Sequence, residues 1–213
     1  MSHRLVVLIS GSGTNLQAII DASDKGELDA ETVLVLSNRA DAPGLQRAEQ
    51  AGIATASLDH RAYHSREAFD QAMIEIIDAQ QPDTVVLAGF MRILSPLFVR
   101  HYAGRLINIH PSLLPRYRGL NTHARALEAG DHEHGCSVHF VTEELDGGPL
   151  IAQASIPIAA NDTVESLSKR VQQREHQLYP QVLQWRAQQR LQLTDTGVIL
   201  DGKPLPKQGY RLD

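Results

Sequence analysis

The chain has 213 residues, 42% of them hydrophobic and 21% charged, with a formal net charge of −5 at pH 7. That composition suits one compact globular domain spanning residues 1–213, and its acidic balance argues against a dedicated nucleic-acid binder, which carries a basic surface. The single cysteine, Cys136, excludes an internal disulfide and any cysteine-based zinc cluster.

A cytoplasmic setting is expected. The opening apolar run Leu5–Ile9 is too short for a signal-peptide core, and far short of the roughly 20 apolar residues a membrane span needs. That run is a predicted strand. It is followed by the turn Ser10-Gly11-Ser12-Gly13 and an apolar-periodic helix carrying Leu16, Ile19 and Ile20. Strand and helix then alternate: Val33–Leu36, a helix over 43–51 with Pro43 in its first turn, and a weaker strand Ile53–Leu58. A helix over 65–79 follows, capped by Ser65, and then the apolar strand Thr84–Ala88. The alternation predicts an α/β fold with a mostly parallel central sheet and helices on both faces.

The segment Leu106–His110 reads as another strand. Beyond it Pro111, Pro115, Gly119 and Asn121 mark a long irregular loop. Two strands, Ser137–Thr142 and Leu150–Ile156, are expected to flank Glu143-Glu144-Leu145-Asp146-Gly147-Gly148-Pro149, giving an antiparallel C-terminal portion. A long helix from about 164 to 189, capped by Asp162 or Thr163, and a small hairpin at Asp201-Gly202 complete the prediction.

Gly11-Ser12-Gly13-Thr14-Asn15 lies between the first strand and the first helix, where backbone N–H groups and the helix dipole favour an anion. It is neither a dinucleotide fingerprint, since position 16 is Leu16, nor a Walker loop, since it has no lysine. A plain tight turn is the alternative reading. Asn108 and His110 sit two apart on one strand and so on one face, at the sheet edge where ligands of α/β proteins bind. An amide donor beside an imidazole suits acyl transfer: one stabilises an oxyanion, the other moves a proton. Both could equally be satisfied polar residues at a strand end. Asp146, between Leu145 and a glycine pair, is the natural third member if its loop folds back, and a carboxylate there would favour the imidazolium. His132, His134 and His139 cluster in sequence near Asp131 and Glu133. However, 132 and 134 read as part of a polar turn without zinc-site spacing, so no metal is expected. His123 and His176 read as structural or solvated, and Cys136 as a packing residue.

These residues carry a resemblance. Phe90-Met91-Arg92-Ile93-Leu94-Ser95, Asn108-Ile109-His110-Pro111-Ser112-Leu113-Leu114-Pro115, Gly135–Val141 and Leu145-Asp146-Gly147-Gly148-Pro149 together resemble the folate-dependent formyltransferases. Ser10–Gln17 and Gln173-Arg174-Glu175-His176 extend the likeness over nearly the whole chain. The likeness points to members of that family that act on 5'-phosphoribosylglycinamide in purine synthesis. It implies a Rossmann-like formyltransferase fold, with a phosphate-binding half at 1–110 and a folate and catalytic-loop half at 111–213. Small-molecule substrates are implied: 10-formyltetrahydrofolate as co-substrate and glycinamide ribonucleotide as acceptor, with no metal, nucleic acid or membrane, in a monomer or homodimer.

Residue by residue, the resemblance assigns catalysis to Asn108, His110 and Asp146, with Asp146 tuning His110. It assigns the acceptor's phosphate to Gly13, Thr14 and Asn15, and the glycinamide end to Glu175 with Gln172, Gln173 and Arg174 nearby. Folate contacts are implied for Arg66, Met91, Arg92, Ile93, Leu94, Asn108, Thr142, Glu143, Glu144, Leu145 and Asp146. A cis peptide is implied at Leu114-Pro115.

Overall fold

The computed structural model describes residues 2–212. The chain divides into two compact units, residues 1–108 and 109–213.

In the first unit, β1 (His3–Ile9), β2 (Ala30–Ser37), β3 (Thr55–Ser57), β4 (Thr84–Leu87) and β5 (Leu106–His110) lie in the order β5-β4-β1-β2-β3. The first three residues of β5 close this unit, and its last two open the other. Every pairing is parallel. The central strands are apolar because they are covered on both faces: Leu5 through Ile9 are completely buried, as are Val35, Leu36, Val85 and Val86. The helices are α1 (Thr14–Asp24), α2 (Pro43–Gln50), α3 (Arg66–Asp78) and α4 (Pro96–His101). Ser65 caps α3 by accepting from Ala68 N–H, as the sequence predicts. Helix α4 is absent from the sequence reading; Ser95 caps it and Pro96 opens it, on a segment too short to show periodicity. The Ile53–Leu58 strand shrinks to β3, in which Thr55 and Ala56 are partly buried and Ser57 is exposed.

In the second unit, α5 (Thr122–Glu128) interrupts the stretch read as irregular loop. Its N-cap, Asn121, is left-handed and makes no side-chain cap, so it left no capping signature to read. Strands β6 (Glu133–Phe140) and β7 (Leu150–Pro157) pair antiparallel, and α6 (Val164–Ala187) packs on both. Strand β6 begins earlier than predicted and includes His134, which is 1% exposed rather than part of a polar turn. A buried, paired histidine is hard to tell from a solvated one by sequence. Thr163 and Ser166 form a reciprocal capping box at the start of α6. The chain then builds an antiparallel three-stranded sheet from β8 (Leu191–Thr194), β9 (Gly197–Leu200) and β10 (Lys203–Pro204), with the expected turn at Asp201-Gly202. Strand β11 (Tyr210–Leu212) pairs parallel with β7. Gly209 permits that return: a Cβ there would lie 2.7 Å from the Ile151 carbonyl group. The Leu114-Pro115 peptide is cis.

The result is a Rossmann-like fold with a mostly parallel central sheet and a separate antiparallel sheet toward the C-terminus. Among the described residues, no helix is long and apolar enough to cross a membrane.

Candidate active site

In the second unit the strongest feature is a buried carboxylate surrounded by polar partners. Asp146 Oδ2 accepts from Gly119 N–H at 2.9 Å and lies 3.6 Å from His110 Nδ1, while Oδ1 lies 3.9 Å from His139 Nε2. The side chains of His110 and Asp146 are only 8% and 10% exposed. The other ring nitrogen, His110 Nε2, meets the Tyr117 carbonyl at 2.9 Å. A carbonyl only accepts, so Nε2 carries the hydrogen and Nδ1 is the nitrogen turned to the carboxylate. The loop does fold back on His110, the condition on which the sequence made Asp146 a third member of the set.

The loop geometry explains how. Asp146 takes a left-handed backbone, φ 47°, a conformation that Asp tolerates better than most residues. After it the chain must pass under its own strand: a Cβ on Gly148 would lie 1.8 Å from the Phe140 carbonyl oxygen, and one on Gly147 would lie 2.4 Å from Glu144 Cδ. The clash at Gly148 is with main chain and admits only glycine, whereas at Gly147 it is with the exposed Glu144 side chain, which can move aside. Arg118 forms an ion pair with Glu144 and also offers its carbonyl to Arg125 Nη1 at 2.7 Å.

His139, Tyr117 and the pair His123–His134 were not singled out as site residues by the sequence. His139 is on β6, 2% exposed; burial pushes its imidazole below the ordinary histidine range, against the pull of the Asp146 charge. His134 Nε2 and His123 Nδ1 are 3.1 Å apart, and burial lowers His134 to about 4 and His123 in the same direction. The tautomers of this pair interlock: one nitrogen must donate and the other accept. Tyr117 contributes a main-chain carbonyl, which no side-chain pattern announces. Cys136 is fully buried and burial raises its thiol, in keeping with a packing role.

Behind His110, a hydrogen-bond hub fixes the turn that follows β5. Ser137 Oγ donates to Ser112 O at 2.6 Å and accepts from Leu114 N–H at 3.0 Å, and Gln153 Nε2 donates to both Leu114 O and Ser137 Oγ. All four residues are buried, so the network is satisfied where water is scarce.

The residues matched to the glycinamide end lie on α6. Gln172 and Glu175 are three apart and share a face, and Glu175 is 8% exposed; Gln173 is exposed on another. Arg174 is committed within the fold, its Nη2 donating to Leu212 O at 2.8 Å and Nη1 to Gln177 at 2.9 Å. Of the folate-loop residues, Thr142 is partly buried, while Glu143, Glu144 and Leu145 are exposed.

In the first unit, Gly13 is the left-handed N-cap of α1, with φ 70°, and Thr14 and Asn15 are the helix's first residues. No side chain caps this end and no acidic residue stands in the first turn. Asn108 lies on β5 opposite Leu87 of β4, two residues before His110 along the same strand. The segment 91–94 is tied to the end of β1: Ser10 Oγ accepts from Met91 N–H at 2.8 Å and donates to Asn38 Oδ1 at 2.5 Å. Met91 and Ile93 are apolar yet 70% and 62% exposed. Arg92 packs over the Phe69 ring at 5.7 Å. Asp70, whose carboxyl is raised by burial, accepts from Ser95 N–H at 2.6 Å and anchors the far end of the segment. Arg66 opens α3 and is exposed. Among the described residues, no group of three or more His, Cys, Asp or Glu is placed to hold a metal ion.

Comparison with known proteins fits this arrangement. The family described as formyl transferase matches residues 3–183. The phosphoribosylglycinamide formyltransferase of Escherichia coli K12 is 59% identical over 209 residues, covering 98% of this chain and 99% of that protein. Its namesake from Haemophilus influenzae is 49% identical over 207 residues, covering 97% and 98%. Among solved structures, the phosphoribosylglycinamide formyltransferase from Coxiella burnetii, in complex with CHES, superposes with a TM-score of 0.96 at 55% identity and covers 100% of both chains.

Proposed function

The chain belongs to the formyl transferase family, an enzyme of formyl transfer in purine biosynthesis, and from that premise we propose that its donor is 10-formyltetrahydrofolate and its acceptor the amine of 5'-phosphoribosylglycinamide. The observation that carries the reading is the buried His110–Asp146 pair, 3.6 Å apart, with Asn108 two residues earlier on the same strand. The acceptor is supported by relatives that bear that substrate's name over nearly their whole length, and by an uncapped helix start, at α1, suited to a phosphate.

In this reading the glycinamide amine attacks the formyl carbon directly. The amide of Asn108 and the imidazole of His110 stabilise the oxygen as it gains negative charge in the tetrahedral intermediate. Asp146, 3.6 Å from Nδ1, offsets the ring's charge when the ring is protonated, while Nε2 at the Tyr117 carbonyl holds its orientation. The C–N bond to the folate nitrogen then breaks, and the proton released by the amine ends on that nitrogen. No covalent enzyme intermediate is needed. The acceptor's phosphate is bound by Gly13, Thr14 and Asn15, and its glycinamide end by Glu175 with Gln172 and Gln173. Arg174, already bonded within α6 and to Leu212, acts there by positioning rather than contact. The folate is held by Met91, Arg92, Ile93 and Leu94, by the loop from Thr142 to Asp146, and by Arg66 at its periphery.

The test is to follow deformylation of 10-formyltetrahydrofolate by absorbance with and without glycinamide ribonucleotide. Deformylation that requires the ribonucleotide and yields its N-formyl product is expected. Equal rates without it would make the activity a hydrolysis and leave the acceptor assignment wrong.

A further inference from the structure

We infer that Arg47, on α2, is the positioning residue of the anion loop: it fixes the direction of the loop's amides and so sets affinity for the acceptor's phosphate. This rests on the phosphate reading of Gly11–Asn15 proposed above. All the observations lie within the first unit.

Arg47 Nε donates to the Ser12 carbonyl at 2.7 Å, and its Nη1 to Gln17 Oε1 at 3.2 Å. The neighbouring carbonyl, Gly11 O, accepts from Gly44 N–H at 3.0 Å. Two successive carbonyls of the loop are therefore turned toward α2. A peptide group is planar and trans, so the N–H of each of these peptides points the opposite way. The amides of Ser12 and Gly13 are thereby aimed together, away from α2, and neither has a hydrogen-bond partner among the described residues. Adjacent amides presented side by side form a concavity for an anion. The uncapped first turn of α1 begins at that same point.

Packing reinforces the arrangement. A Cβ on Gly13 would lie 2.7 Å from Gly44 Cα, and one on Gly44 would lie 2.5 Å from Ile9 Cδ1 and 3.1 Å from Gly11 O. The start of α2 thus backs the loop at contact distance. Of the loop's two anchors on α2, the Gly44 bond is main-chain, whereas the Arg47 bond depends on the side chain. The loop contains no lysine or arginine, so Arg47 also brings positive charge to it. A guanidinium held by two bonds keeps its direction better than a lysine ammonium would.

The experiment uses the full chain, wild type and Arg47→Gln, with two acceptors: glycinamide ribonucleotide and its unphosphorylated riboside. Arg47→Gln is expected to raise KM for the ribonucleotide by about tenfold or more, the loss typical of one charge-assisted hydrogen bond. The kcat, the KM for formyl folate and the KM for the riboside should stay within about twofold of wild type. Inorganic phosphate is expected to compete with the ribonucleotide and to do so more weakly in Arg47→Gln, and Arg47→Lys should recover part of the loss. Equal KM increases for both acceptors, or a fall in kcat alone, would overturn the role of Arg47. Should Arg47→Gln not fold, Arg47→Lys decides: a ribonucleotide KM and phosphate inhibition identical to wild type would overturn it. Failure of the functional reading looks different, because wild type would then formylate neither acceptor. A wild type that uses both acceptors equally well would remove the phosphate site itself, and this inference with it.

Discussion

The two units present their candidate site residues in different forms. In the first, the parts matched to ligand binding are main-chain: the amides around Gly13, the N-terminus of α1, and the segment 91–94 pinned at one end by Ser10 and at the other by Asp70. In the second they are buried titratable side chains, His110, His139 and Asp146, with the His123–His134 pair on neighbouring elements. The contrast teaches how each task is met. In the proposed reading, a phosphate keeps negative charge throughout the reaction, so fixed backbone dipoles oriented by Arg47 can hold it. A developing oxyanion and a moving proton require groups that can change charge in a dry environment. Damage to the main-chain sites of the first unit is therefore expected to raise KM, whereas damage to Asn108, the last residue of that unit, or to the titratable groups of the second is expected to lower kcat.

The largest effect should come from the catalytic strand. Asn108→Ala is expected to lower kcat by about 10²–10³, as loss of one oxyanion donor does elsewhere, with the thermal midpoint little changed. Asp146→Asn should also lower kcat while leaving acceptor KM nearly unchanged; a steady-state KM rise as large as the kcat loss would break the contrast. Next comes the loop that folds Asp146 back. Gly148→Ala drives a methyl against the Phe140 carbonyl, so both activity and the unfolding midpoint should fall; Gly13→Ala, at φ 70° and with its methyl 2.7 Å from Gly44 Cα, should lower the midpoint too and raise acceptor KM, with kcat less affected.

A smaller effect separates the units by pH. His134 is held at about 4 in the fold and titrates near 6.5 when unfolded. Between those values the unfolded chain binds a proton that the native one does not, so stability falls as pH drops from 6.5 toward 4. The loss is at most about 3 kcal/mol from this group, and none arises above pH 6.5. His123 and His139 are lowered too and act with the same sign. Chemical denaturation at pH 7.5 and pH 5 should show the decline, and His134→Gln should flatten it. Smallest of all, Thr163→Ala removes one arm of the α6 capping box and should cost about 1 kcal/mol in denaturant titration, with no change in kcat.

Much of this was legible in the sequence where one local signal sufficed. The apolar runs marked β1 and β4, and the segment Leu106–His110 marked β5; Ser65, and Asp162 or Thr163, marked helix starts. What escaped detection depends on tertiary contact. Strand β11 is three residues recruited by β7, and α5 lacks a capping residue that bonds. His134 looked solvated because its partner His123 comes eleven residues earlier on another element. Tyr117 enters through its carbonyl, and Arg47 through a bond to a main-chain oxygen thirty-five residues away. Such contacts leave no periodicity and no motif.

The proposed oxyanion role of Asn108 is tested most directly by single-turnover formyl transfer with Asn108→Ala at saturating 10-formyltetrahydrofolate and glycinamide ribonucleotide. The account expects a rate about 10²–10³ below wild type with the acceptor concentration for half-saturation unchanged. A near-wild-type rate from correctly folded protein would contradict it.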